Sequence, residues 1–213
     1  VFRFAPSPNG LLHLGHAYSA LLNQRLAQES GGRMLLRIED IDTLRCTPDK
    51  VAAVFEDLDW LGLVWEEPVL HQSQRFPAYH AVLDRLEAAG LIYPCFCSRG
   101  DIRRAAARSR SLRCDPDGAP LYPGTCRSLS AQCRAEWRDA GRPHVLRLDL
   151  AAVRPQLPAG LAWDEWEEGG VLADRALWGD IVLARKDIPA SYHLAVVIDD
   201  AMQGVTDVVR GRD

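Results

Sequence analysis

Residues 1–16 read Val-Phe-Arg-Phe-Ala-Pro-Ser-Pro-Asn-Gly-Leu-Leu-His-Leu-Gly-His, and the order of signals in this stretch decides the fold. Val1 to Phe4 alternates like a short strand, and Pro6, Pro8 and Gly10 break the chain after it. From about His16 to Ser30 the apolar residues Ala17, Ala20, Leu21, Leu22 and Leu26 keep helical spacing, and Gly31-Gly32 ends the run. Met34 to Ile38 reads as a buried strand. Strand, Pro/Gly loop, helix and strand make a βαβ unit, so the expected fold class is α/β.

Outward from this unit, Thr47-Pro48 predicts a helix start, with Thr47 as N-cap and Pro48 at the first helical position. A further helix is expected from about Pro77 to Ala89, stopped by Gly90. Residues 92–145 are rich in Cys, Arg, Pro and Gly with weak periodicity, which suggests an insertion. Beyond it, Ile181 to Ala184 reads as a strand, Tyr192 to Met202 as a helix capped by Gly204, and Val205 to Val209 as a strand. The expected organisation is therefore a first half at 1–91, an insertion at 92–145 and a second half at 146–213. A parallel α/β domain is expected to continue past Arg210-Gly211-Arg212-Asp213.

With 47% hydrophobic and 25% charged residues, the composition is that of an ordinary water-exposed protein. No apolar run is long enough to span a bilayer, and the start lacks a charged-then-apolar leader, so a cytoplasmic location without membrane contact is expected. The net charge of −4 argues against coating nucleic acid by charge alone. A local basic patch does exist: six arginines between Arg99 and Arg113 stand against Asp101. On charge alone this is equally a solvated helix face.

Two constellations carry chemistry. His13-Leu14-Gly15-His16 falls at the mouth of the first helix, where unsatisfied N–H groups attract phosphate and Gly15 permits close approach. Attack at the α-phosphorus of ATP suits such a site, since its catalysis is mainly positioning and charge stabilisation. The tetrapeptide by itself is also compatible with two incidental histidines. The second constellation is Cys95-Phe96-Cys97 with Tyr122 and Cys126. Cys-x-Cys lets two thiolates reach one ion, and a third thiolate plus one O or N ligand completes a tetrahedron. Reduced cysteines packed in a core are the alternative, and Cys114 and Cys133 are neighbouring candidates.

Three blocks resemble the glutamyl group of class I aminoacyl-tRNA synthetases: Arg3 to His16, Arg37-Ile38-Glu39-Asp40-Ile41-Asp42-Thr43-Leu44-Arg45, and Tyr192 to Asp200 with Gly204-Val205-Thr206 and Val209-Arg210-Gly211. They fall in family order and span nearly the whole chain. The resemblance implies a Rossmann-type class I catalytic domain with an inserted zinc-bearing subdomain. It implies His13 and His16 as catalytic residues, with MgATP as a substrate. It further implies an L-glutamate pocket in which Arg3 and Arg210 hold the two carboxylates, Glu39 with Ser7 receives the α-ammonium, and Tyr192 supplies a hydroxyl. A dianionic amino acid needs two cationic anchors and an anionic one, so the set is chemically consistent.

The cysteine pattern, with Tyr122 as fourth ligand of one structural Zn²⁺, is similar to the branch that glutamylates queuosine in tRNA(Asp). Many glutamyl-tRNA synthetases instead carry a His where Ser128 stands, and Gln72-Ser73-Gln74-Arg75 also resembles the queuosine-directed branch. The partners so implied are L-glutamate, ATP and queuosine-bearing tRNA(Asp), with a monomeric enzyme. An ordinary glutamyl-tRNA synthetase fragment is the nearest alternative. A small-molecule adenylyltransferase explains the histidines but not the pocket, and a non-catalytic zinc-dependent RNA-binding module predicts decay of the two histidines, which are intact. Lys50 and Lys186 are the only lysines, and neither has the Lys-x-Ser-Lys context of the class I ATP loop, which the family places beyond residue 213.

Overall fold

The computed structural model describes residues 1–108, 114–174 and 177–211; Arg110 and Arg113 of the expected basic patch, and Arg212 and Asp213, lie outside them. In chain order the elements are β1 (Phe2–Phe4), α1 (Leu14–Glu29), β2 (Met34–Ile38), α2 (Pro48–Trp60), β3 (Glu66–His71) and α3 (Phe76–Ala88). Then come β4 (Ile92–Cys95), α4 (Arg99–Arg108), α5 (Ala131–Asp139), β5 (Val145–Leu148) and the one-turn α6 (Leu150–Val153). The chain continues with β6 (Ala162–Glu165), β7 (Gly169–Leu172), β8 (Val182–Ala184) and α7 (Tyr192–Gln203). The contacts divide the chain into two compact units, one of Val1–His80 with Ile188–Asp213 and one of Ala81–Asp187. No helix among the described residues is long and apolar enough to cross a membrane.

The first unit is built on a parallel sheet of order β1-β2-β3. Its register pairs Arg3 with Leu35 and Phe4 with Leu36. Side chains alternate along a strand, so Phe4, Leu36 and Ile38 share one face, while Arg3, Leu35 and Arg37 share the other. The apolar face closes against α1 and α2 in a core of Phe4, Ala20, Leu36, Ile38, Val54, Leu58 and Leu63. Burying each large member contributes about 1.5–3 kcal/mol.

The opposite face meets α7 through charge. Asp200 accepts from Arg37 Nη1 at 2.6 Å and from Arg3 at 3.2 and 3.4 Å. Its neighbour Asp199, with no exposed surface, accepts from Gln72 (2.9 Å), Arg75 (2.7 Å) and Tyr79 (2.7 Å). Burial and then the Asp199 carboxylate push the Tyr79 phenol well above its ordinary pKa. Ser191 caps the start of α7 by accepting from Leu194 N–H, and Gly204 ends it in the left-handed region at φ 67°.

In the second unit β4, β5 and β8 form an antiparallel sheet, and β6 and β7 a separate hairpin. Asp180 is its buried tie-point, taking a hydrogen bond from the Tyr93 hydroxyl and others from Arg127 Nε (2.9 Å) and Leu150 N–H (3.1 Å). A small cluster of Tyr93, Cys95, Tyr122 and Cys126 forms a core, with Phe96, Ile102 and Leu129 packed on it.

Several expectations are revised. The first helix starts two residues earlier than expected, at Leu14, because His13 caps it. Thr47 precedes α2 in extended conformation, but its side chain makes no capping hydrogen bond. Leu70 and His71 close β3, a strand absent from the expected elements, and Gln72–Gln74 is a 3₁₀ turn. Pro68 and two glutamates hid this strand from any apolar alternation. The expected strand at Val205–Val209 is reduced to a single bridge, Phe2 with Asp207. Residues 92–145, weakly periodic in sequence, hold a strand and two helices.

Asp199→Ala leaves Arg75, Gln72 and Tyr79 without their shared acceptor, and removing one partner of a buried charge network costs about 3–5 kcal/mol. Urea unfolding at neutral pH reads this directly. A loss below about 1 kcal/mol would show that the Asp199 network contributes little to holding α7.

Candidate active site and metal centre

The loop between β1 and α1 delivers both histidines to one helix mouth. His13 is the N-cap of α1 and His16 its third residue, and they form a reciprocal capping box. His13 Nδ1 accepts from Gly15 N–H at 3.1 Å, and His16 Nδ1 accepts from His13 N–H at 3.2 Å. The two ring centres are 3.9 Å apart. A Cβ on residue 15 would stand 3.0 Å from His13 Cε1 and 3.2 Å from Nδ1. Glycine at 15 therefore lets the capping His13 ring lie close without being displaced, a local reason the sequence alone did not supply.

Glu39 follows β2 directly, and its backbone N–H bonds Pro6 O at 3.0 Å, which fixes it against the Pro6–Ser7 loop. Its carboxylate accepts from Arg37 Nη2 at 3.2 Å. Burial raises the Glu39 pKa above the ordinary carboxylate value, against the opposing pull of Arg37 and Arg3. Arg3 and Glu39 thus belong to one buried cluster with Arg37, Asp200 and Gln203, whose amide oxygen accepts from Arg37 at 3.0 Å. Ser7 is exposed on its loop. Tyr192 and Arg210 form a separate pair, with Arg210 Nη1 donating to the Tyr192 hydroxyl at 3.2 Å. Among the described residues no hydrogen bond joins this pair, or the Ser7 side chain, to the Arg3–Glu39 cluster.

Arg37 and Asp200 were quoted in sequence as parts of longer blocks and assigned no role. The available signal was the charge inside the apolar run Met34–Ile38. A buried guanidinium demands a buried counter-charge, and the Asp199-Asp200 pair on an otherwise apolar helix was the only conspicuous acidic pair in the family blocks beyond Glu39-Asp40.

In the second unit the Sγ atoms of Cys95, Cys97 and Cys126 lie within 4.8 Å of one another. Cys97 Sγ is 3.5 Å from Cys126 Sγ and 3.5 Å from the Tyr122 hydroxyl. Sulfurs bound tetrahedrally at about 2.3 Å sit about 3.8 Å apart, so the three thiols lie close enough together for one metal ion to reach them all. Tyr122 Oη accepts from Cys126 N–H at 2.8 Å, and Arg147 lies 4.1 Å over its ring. Burial pushes the Cys97 thiol up to about 11. Burial also acts to raise Cys126, but hydrogen bonds from Tyr122 and Phe96 N–H outweigh it and leave that thiol below its ordinary value. Cys114 is exposed, and neither it nor Cys133 joins the cluster among the described residues.

With this geometry in view, the comparisons are informative. Residues 1–213 match the family described as tRNA synthetases class I (E and Q), catalytic domain. The chain is 46% identical over 228 residues to a glutamyl-Q tRNA(Asp) synthetase of Rhodobacter capsulatus, covering 100% of this chain and 77% of that protein. It is 40% identical to a glutamate–tRNA ligase of Citrifermentans bemidjiense, covering 99% of this chain and 42% of the ligase. Among solved structures, a glutamate tRNA ligase from Elizabethkingia meningosepticum, in complex with its amino acid, superposes with a TM-score of 0.74 at 27% identity, over 97% of this chain and 42% of that one. The chain therefore spans less than half the length of the ligases it matches. A βαβ opening with two histidines at the helix mouth, a charged cluster at the end of the second strand and a match over every residue lead to one conclusion: this chain belongs to the class I tRNA synthetase (E and Q) catalytic-domain family.

Proposed function

We propose that the protein activates L-glutamate with ATP and transfers it to queuosine in the anticodon loop of tRNA(Asp). In the first step a glutamate carboxylate oxygen attacks the α-phosphorus and pyrophosphate leaves, giving glutamyl-adenylate. In the second a hydroxyl of the cyclopentene-diol attacks the acyl carbon and AMP leaves. His13 and His16 stabilise the charge that develops on the α-phosphate, with Mg²⁺ on the pyrophosphate. Asp200 takes Nε and Nη2 of Arg3, which leaves Nη1 for a substrate carboxylate; Arg210 holds the other. Glu39, with Ser7, receives the α-ammonium, whose arrival offsets the burial that raises the Glu39 pKa. Tyr192 contributes its hydroxyl. Cys95, Cys97, Cys126 and Tyr122 would hold one structural zinc within the second unit. A cytoplasmic monomer is part of this reading.

The observation that favours queuosine as acceptor is the pairing of 46% identity to a glutamyl-Q relative with Tyr122 Oη 3.5 Å from Cys97 Sγ and Ser128 in the place of a histidine. The second reading, charging of tRNA(Glu) at its 3′ end, is supported by the 40% identity to glutamate–tRNA ligases.

ATP–pyrophosphate exchange by the complete protein is expected to depend on glutamate. Glutamine should be about 10- to 150-fold poorer, because a neutral contact replaces a charge-assisted one. Glu39→Gln should lower exchange by a similar factor without unfolding the protein; equal exchange with both amino acids would sink the pocket. Labelled glutamate should enter queuosine-bearing tRNA(Asp) and neither queuosine-free tRNA(Asp) nor tRNA(Glu). Label at the 3′ end of tRNA(Glu) gives the case to the second reading. Elemental analysis of protein purified without chelators should find about one zinc per chain, lost in the Cys95→Ser/Cys97→Ser double variant. Unchanged metal content in that variant refutes the ligand set.

A further inference from the structure

Beside the cysteine cluster, three aromatic rings and one guanidinium form an assembly that the preceding chemistry does not use. Phe96, which sits between two of the cysteines, meets Trp137 of α5 edge-on with ring centres 5.1 Å apart, and His144 at 5.4 Å. The Arg142 guanidinium carbon lies 3.8 Å from the Trp137 ring centre and 5.8 Å from that of Phe96. Arg142 is exposed. Its neighbours in sequence are committed elsewhere: Arg134 bonds Arg127 O, Arg138 pairs with Glu87, and Arg147 bonds Asp180 O. The Arg142 guanidinium has no carboxylate or carbonyl partner among the described residues, and rings alone hold it.

We propose that the Trp137–Arg142 pair is a stacking platform for an unpaired nucleobase of the RNA substrate, an inference that rests on the proposed action on tRNA. A guanidinium anchored on an indole is an ordered planar cation facing solvent, and unstacked bases are taken up on such planes and on aromatic rings. The edge-on Phe96 contact orders the indole, so little rotamer entropy remains to be lost on binding. Charge favours RNA over a protein partner. Residues 95–147 contain eleven arginines, no lysine and five carboxylates, in a chain whose net charge is −4. A phosphate backbone is therefore drawn to this segment and repelled by the rest.

The test measures affinity of the complete protein for fluorescein-labelled, queuosine-bearing tRNA(Asp) over a range of salt concentrations. Arg142→Lys keeps the charge and loses the plane; Trp137→Leu loses the platform and keeps the charge. Both should weaken binding by about 5- to 150-fold, with the salt dependence of Arg142→Lys unchanged. Its glutamate-dependent exchange and melting curve should match those of the parent protein. Arg142→Lys binding as tightly as the parent marks a phosphate contact and overturns the proposal. Binding by the parent with undiminished affinity in both variants removes this inference alone, whereas a parent protein that binds no tRNA removes the function reading as well.

Discussion

Two arginines on the inward face of a parallel sheet are the constraint on which the first unit depends. Arg3 and Arg37 come from adjacent strands and point to the same side because the β1–β2 register fixes their phase. Neither guanidinium can be left in a low-dielectric interior without a partner, and Asp200 answers both. That requirement pins α7 to the sheet, although roughly 160 residues of chain separate Asp200 from Arg37 (the sequence separation is 163). Asp199, the preceding residue, ties the same helix to Gln72, Arg75 and Tyr79. One acidic dipeptide thus holds a helix through two different networks, and two members of the proposed glutamate pocket, Arg3 and Glu39, belong to the Asp200 network.

The cluster also bears on the proposed role of Glu39 as the acceptor of an ammonium group. It is 6% exposed and shares Arg37 with Asp200, so its carboxylate is incompletely compensated where it stands. Burial already disfavours its charge. A ligand that carries its own ammonium relieves that penalty, while a neutral ligand leaves it in place. Substrate charge and site charge are therefore complementary in sign at each proposed anchor, which is a source of specificity more than of raw affinity.

The second unit uses a different solution. Its described core is small, and three of its four buried members are Cys95, Cys126 and Tyr122, the same groups proposed as ligands. A segment so rich in Arg, Pro and Gly has few apolar side chains to bury, and a metal held by the proposed ligands would supply the cross-links that packing does not. The cysteine cluster also fixes Phe96, and through it the edge-on contact with Trp137. Scaffold and proposed RNA platform in this unit share one anchor.

Local periodicity settled the elements that bury one face. Met34–Ile38 and the helices near residues 14–29, 48–60, 76–88 and 192–203 follow from apolar spacing, glycine stops and a proline start, all read within a few residues. Likewise Cys-x-Cys followed by Cys126 announced a metal-type cluster, because ligand geometry restricts spacing along the chain. Strand β3 was illegible: its Pro and Glu residues break alternation, and only pairing to β2 makes it a strand. The same holds for β5, whose partners lie far away in the sequence. Only the tertiary structure decided that His13 caps α1 and lies close over Gly15, that Arg37 and Asp200 join Arg3 and Glu39, and that Arg142 rests on Trp137. The physical reason is common to all three. Periodicity reports which side of an element avoids water, whereas the partner of a buried charge or a stacked ring is fixed by through-space distance, which no spacing in the sequence encodes.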